Sequence, residues 1–229
     1  MRPILIVAGN FLRQMRWVLL IYPLLAVGFA VTLIMANDND VDFYFVQQSV
    51  YAIGIATFLA AQASFNERKS RRILGVLSKG IERRDYLAGL LAGVFASTGL
   101  FLGGVLLGAL LMAAYGRFSV LAVFAAVMLM WFSCCLAAAL AMFLSTFLHP
   151  LAAVAGTFVV IGGGAAVQLL RVSTGMWFPV YQLSLEARQL LVGKPAHVLL
   201  IPIATIEIFL LWLWAGWIFE RRDIAVAIE

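Results

Sequence analysis

The chain has 229 residues, 64% of them apolar and only 12% charged, where ordinary soluble domains run at roughly 45–50% and about 25%. With a mean hydropathy of +1.03, this excludes a soluble globular domain and makes lipid the main solvent. The net charge of +5 is read as topology rather than as a nucleic-acid surface, because twelve of the sixteen Lys and Arg fall at Arg2 to Arg16, at Arg68 to Arg84, and at Arg221 with Arg222. The positive-inside rule assigns all three places to the cytoplasm.

Taken in chain order, residues 2–16 place Ile4, Ala8, Phe11, Leu12 and Met15 on one side of a helix and Arg2, Gly9, Arg13 and Arg16 on the other. That pattern predicts an amphipathic elbow helix lying in the interface. Asn10, Arg13 and Arg16 interrupt its apolar run, so it is not read as a signal peptide. A first span is expected over Trp17 to Ala36, followed by the acidic outer turn from Asn37 to Asp42, and a second over Tyr44 to Phe65. The second span leads into the strongly charged stretch 66–85, which holds seven basic and three acidic residues.

The third span, Tyr86 to Tyr115, carries the small-xxx-small pairs Gly89 with Gly93, Gly99 with Gly103, and Gly104 with Gly108, which predict close approach by another helix or subunit. A short outer turn at 116–119 leads to a fourth span ending near Phe147, and His149-Pro150 makes a short inner turn. The fifth span, Leu151 to Leu170, contains Gly162, Gly163 and Gly164, where a break is expected. In the outer segment 171–197, a short helix is predicted over Val180 to Val192 between Pro179 and Gly193. Its apolar stripe of Val180, Leu183, Ala187, Leu190 and Leu191 lies opposite Gln182, Glu186 and Gln189, so the segment is interfacial or re-entrant. The sixth span runs from Val198 to Phe219. The fold class is therefore an all-α membrane protein, a single domain of six spans with both termini inside.

The chemistry of enzymes has no visible apparatus. Cys134 and Cys135 are neighbours in an apolar run, His149 and His197 fall on opposite sides, and no metal set forms. Nucleophile-elbow, zinc-protease and Walker A motifs are all missing, so no catalytic residue is assigned. Gln62 and Gln168 lie near span ends and are read as reaching an interface. Glu207 lies about ten residues into the sixth span, where an acid costs about 2.5–3.5 kcal/mol and faces the bundle interior by default. It is the one intramembrane residue assigned to transport.

The stretch from Glu67 to Leu90 reads Glu-Arg-Lys-Ser-Arg-Arg-Ile-Leu-Gly-Val-Leu-Ser-Lys-Gly-Ile-Glu-Arg-Arg-Asp-Tyr-Leu-Ala-Gly-Leu. It resembles the cytoplasmic loop of ABC-2 type transporter permeases, in which a glutamate and basic residues precede a short amphipathic helix, a break and the third span. The helical pattern agrees: Ile73, Leu74, Val76, Leu77 and Ile81 cover one arc, and Arg71, Arg72, Gly75, Ser78 and Lys79 the other. The elbow helix, the six spans, the outer helix and the final 219–224 extend the resemblance over nearly the whole chain. Where the family commonly has Gly-Thr, a glutamate and a proline, this sequence has Arg71-Arg72, Leu74 and Gly80, so no subfamily follows.

The resemblance implies a coupling helix, with Glu67, Arg71, Arg72, Ile73, Leu74, Leu77, Gly80 and Ile81 at the contact with cytoplasmic ATPase subunits. It also implies a second permease subunit, identical or related, with ATP and Mg held by the partner chains and no cofactor in this one. The membrane would be the bacterial inner membrane. Trp177, Phe178 and Tyr181 in the outer segment suit an amphipathic or lipid-like cargo. Two alternatives are the membrane subunit of a haem exporter of cytochrome c maturation and a six-span carrier that couples protons through Glu207.

Overall fold

The computed structural model describes residues 2–36, 40–69, 82–115, 119–169, 179–194, 197 and 199–221. These form eight helices: α1 (Arg2–Gln14), α2 (Arg16–Met35), α3 (Val41–Lys69), α4 (Arg83–Tyr115), α5 (Val120–Ser145), α6 (Pro150–Leu169), α7 (Val180–Leu191) and α8 (Leu200–Arg221). Five of them, α2, α3, α4, α5 and α8, are long and apolar enough to cross a membrane. The apolar part of α6, Pro150–Ala166, is shorter. At 33 residues, α4 is about 50 Å long, well beyond a hydrocarbon core of about 30 Å.

Contacts at the helix ends sort the bundle into two poles. At one, Arg84 Nε lies 2.7 Å from Glu220 Oε1, and the rings of Phe65 and His149 are 5.5 Å apart. This basic end thus joins the start of α4, the ends of α3 and α8, and the turn before α6. At the opposite end, Arg188 of α7 pairs with Asp42 in the first turn of α3, and His197 meets Glu186. The two histidines lie at opposite poles.

The centre is α5, which packs against α3, α4, α6, α7 and α8. Its run from Ser133 to Met142 is buried throughout, because Ala, Cys and Ser side chains let neighbouring backbones close in from several directions. On α4, glycine decides where helices cross. A Cβ at Gly104 would lie 2.5 Å from Pro23 Cα on α2. One at Gly108 would strike the Tyr44 hydroxyl of α3, which lies 3.2 Å from the carbonyl oxygen of Ala26 and 3.3 Å from that of Val105. Three helices are therefore joined around one buried phenol.

The structure corrects two expectations and narrows a third. The elbow helix α1 does not merely lie in an interface: Val7, Ala8 and Phe11 are buried and seat against Gly89 and Gly93 of α4, where added Cβ atoms would come 2.7 Å from Val7 Cβ and 2.9 Å from Phe11 Cδ1. Leu5 and Ile6 are left on the surface. Within this chain no helix crosses at the pair Gly99 and Gly103, since Gly99 meets only Trp131 at ordinary contact distance and nothing lies within 4 Å of a Cβ at Gly103, so that face is open towards a second subunit. Finally, α6 continues through Gly162, Gly163 and Gly164 without a break. In lipid a broken turn has no water to satisfy its freed N–H and C=O groups, and that cost outweighs glycine's entropic preference for disorder.

Candidate functional site

The expected coupling residues Arg71, Arg72, Ile73, Leu74, Leu77, Gly80 and Ile81 lie outside the described residues, whereas Glu67 falls in the last turn of α3. What the structure describes is the frame around that loop. Helix α3 continues to Lys69, past the apolar span, and α4 begins at Arg83. Arg83 donates to the carbonyls of Phe219 and Glu220 at 3.2 Å each. Arg84 pairs with both oxygens of Glu220, at 2.7 Å through Nε and 2.8 Å through NH2. The Arg84 stem crosses Gly216 so closely that a Cβ there would meet its Cγ at 3.1 Å. Both partners are part-exposed, so solvent screens the pair and it adds little stability. Its value is geometric, for it ties the exit of the loop to the end of α8.

At the opposite pole, α7 sinks into the bundle. Ser133 Oγ donates to the Val180 carbonyl at 2.7 Å and lies 3.1 Å from Ser184 Oγ. Ser133 is in the middle of α5, about 20 Å from its start, so α7 begins at mid-depth and climbs to the Asp42–Arg188 pair. The first turn of α7 is therefore set inside the bundle and its last turn at the pole. The Asp42 carboxylate raises the Arg188 pKa above its ordinary value through their hydrogen bond, with burial opposing. The helix then stops as the sequence predicts: Gly193, at φ 77°, lets the Lys194 N–H reach the Gln189 carbonyl and the Gly193 N–H reach that of Leu190, the Schellman arrangement.

Glu186 is a further correction. Helical periodicity sets it opposite the apolar stripe, yet it is 3% exposed. The chain beyond Gly193 turns back over it, so that Oε1 lies 2.7 Å from His197 Nδ1 and Oε2 accepts the His197 N–H at 3.2 Å. Tyr181 is half-buried on the second residue of α7, while Trp177 and Phe178 lie outside the described residues.

Glu207 stands on the line Leu200, Ala204, Glu207, Leu211 of α8, three members of which are packed into the core. It is half-buried, and its Oε2 is enclosed by protein. Thr205, two residues before it, turns its hydroxyl back to the Ile201 carbonyl at 2.8 Å, as do Thr57, Ser97 and Thr157 to carbonyls of their own helices. These four hydroxyls are satisfied within their own helices, whereas those of Tyr44 and Ser133 reach other helices, and Glu207 is the carboxylate in the middle of α8. Among the described residues no group of His, Cys, Asp and Glu comes together to hold a metal.

Sequence reasoning set Gln62 aside, but it lines an apolar cavity of about 510 Å³ between α2 and α3, with Met15, Tyr22, Gly54, Phe58 and Asn66. The signal for it was present: Gly54, Phe58, Gln62 and Asn66 recur every four residues, one stripe of α3 with its polar members at the basic end. No family model matches the chain, and no curated protein matches it.

Proposed function

We propose that this chain is the permease subunit of an ATP-driven ABC-2 type exporter, which moves an amphipathic or lipid-like substrate across the bacterial inner membrane. It has six spans, α6 being the fifth, and both termini in the cytoplasm, so that the basic end is the cytoplasmic one. Two such subunits, identical or related, form the path between them, and two ATPase subunits bind and hydrolyse ATP with Mg. The observation that carries this reading is the loop between α3 and α4. Its sequence resembles the coupling segment of these permeases, and its flanks are long helices, one of which is clamped by Arg83 and Arg84 to the end of α8. A force applied to the loop would reach the second, third and last spans together. Closure of the ATPases would then shift the pair between inward-open and outward-open populations, through the difference in their affinity for the two states.

The test is direct. Replacing Leu77 and Ile81 together by aspartate is expected to abolish copurification of a Walker A ATPase, or its substrate-stimulated hydrolysis, while membrane insertion stays intact. Normal stimulated hydrolysis in a correctly inserted variant overturns the assignment. Single-cysteine labelling in a chain lacking Cys134 and Cys135 tests the topology separately: position 72 must be inaccessible from outside, and position 194, exposed just beyond α7, must lie on the other face from it. The position of Glu207 among core residues of α8 supports a second reading, a proton-coupled carrier, which predicts transport driven by a pH gradient with no ATPase present.

A further inference from the structure

The cavity between α2 and α3 reaches, along α3, from Gly54 to Asn66, about 18 Å of helix. That is close to the half-thickness of the hydrocarbon core, about 15 Å. Its deep part is apolar, with Tyr22 and Phe58 partly exposed at its sides, so it opens laterally as well as at the basic end. Only at that end does it turn polar, at Gln62 and Asn66. Met15, the break between α1 and α2, forms the rim, and it sits between two exposed arginines, Arg13 and Arg16. Among the described residues no carboxylate pairs with either of them. The Arg16 guanidinium lies 5.6 Å from the Trp17 ring centroid, which holds a cation and an aromatic ring together at the level where headgroups sit.

We propose that this groove binds one acyl chain of an anionic phospholipid from the leaflet at the basic end, with the phosphate on Arg13 and Arg16 and the glycerol region against Gln62 and Asn66. The acyl chain fills an apolar slot whose length along α3 is close to one leaflet, and the two arginines that flank Met15 at its rim carry the sign that a phosphodiester requires. The site is lined by the residues of a single subunit. It rests on the membrane reading of the chain but not on ATPase coupling.

The experiment counts retained lipid. The full chain, purified in detergent with phosphatidylglycerol or phosphatidylcholine added at known ratio, is examined by native mass spectrometry. One tightly held phosphatidylglycerol per chain is expected. Gly54→Phe puts a ring into the slot from a position where nothing lies within 4 Å of a Cβ, and is expected to lower retention about tenfold. Gly28→Phe, on α2 outside the groove and equally open, is the control and leaves retention unchanged. Arg13→Gln and Arg16→Gln each weaken phosphatidylglycerol about fivefold and bring it towards phosphatidylcholine. Equal retention by the Gly54 and Gly28 variants overturns the proposal, as does loss of a dimer in place of loss of lipid, which would make a second copy the occupant. Should Gly54→Phe fold poorly, Gly54→Leu and the two arginine variants decide the matter on the same readout. Because no ATPase is present, failure here leaves the coupling assignment standing, and failure of coupling leaves this site standing.

Discussion

Helices α5 and α8 are both apolar enough to cross a membrane, yet 56% of the apolar stretch of the first is buried against 17% of that of the second. Hydropathy alone does not separate them. What does is side-chain size. From Ser133 to Met142, α5 is mostly Ala, Cys and Ser, and it holds the centre because small residues allow several backbones to converge on it. In α8, Ile206, Phe209, Leu210, Trp214 and Trp217 are exposed, and its small residues Ala204, Ala215 and Gly216 mark where it touches the bundle. In lipid, apolar residues gain nothing by hiding, so packing and not hydrophobicity chooses the inner face.

The largest effect should come from violating that rule at the centre. Ala137→Leu adds bulk where exposure is 0% and is expected to destabilise by about 3 kcal/mol, the upper end for overpacking. An unfolding titration in mixed micelles reads it, and a variant as stable as the parent would show that the α5 centre is loose. Next in size is a contrast between two adjacent glycines of α4. Gly104→Ala drives a methyl group against the backbone of Pro23 and should cost about 2 kcal/mol. Gly103→Ala meets open space and should be neutral, or stabilising by up to about 1 kcal/mol from helix propensity. Equal effects at the two positions would dissolve the distinction between crossing and non-crossing faces.

Glu207 sharpens the comparison from the side of α8, since it is the polar residue on that helix's inward line. Glu207→Leu is expected to lower stability by about 1 kcal/mol and to impair transport. Glu207→Gln keeps the volume and most of the hydrogen bonding and should leave stability within about 0.5 kcal/mol. If the acid titrates during the transport cycle, Gln alone flattens the pH dependence of flux in reconstituted vesicles. Two variants that both fold and transport like the parent remove the site.

These contrasts also show what could be read from residues alone. Apolar length places the long helices to within a few residues, as with α2, read from Trp17 and beginning at Arg16, while Pro179 and Gly193 place the short α7, read to Val192 and ending at Leu191. Glycine spacing marked the crossings at Gly89, Gly93, Gly104 and Gly108. It also marked Gly99 and Gly103, because spacing shows that an approach is possible but not which helix arrives. Periodicity placed Glu186 on a polar face since it gives an angle around α7, whereas its burial depends on a later segment folding back to His197. For the same reason the stripe of α1 includes Ala8 and Phe11, which are buried, but leaves out Val7, which the glycine notch of α4 also takes in. Local pattern carries the elements, and tertiary contact decides which of their faces matter.

The smallest expected effect lies on the lipid side of α8. Trp214 is 57% exposed, and its described ring contact is a tilted one with Phe143 at 6.3 Å. If it faces acyl chains, Trp214→Leu exchanges one apolar surface for another in an apolar solvent, and unfolding free energy should stay within about 0.5 kcal/mol of the parent. The same change would behave differently if this face covered a second subunit, where a buried tryptophan is a frequent anchor and its loss costs about 2 kcal/mol or more of association. Measuring the monomer–dimer equilibrium by single-molecule photobleaching in vesicles, beside the unfolding titration, therefore separates two kinds of exposure. An unchanged equilibrium assigns the Trp214 face to lipid and extends the contrast with α5 to the whole helix. A weakened dimer with unchanged monomer stability would instead make α8 the seam between subunits, its bulky residues excused from the small-residue rule because they pack against a partner.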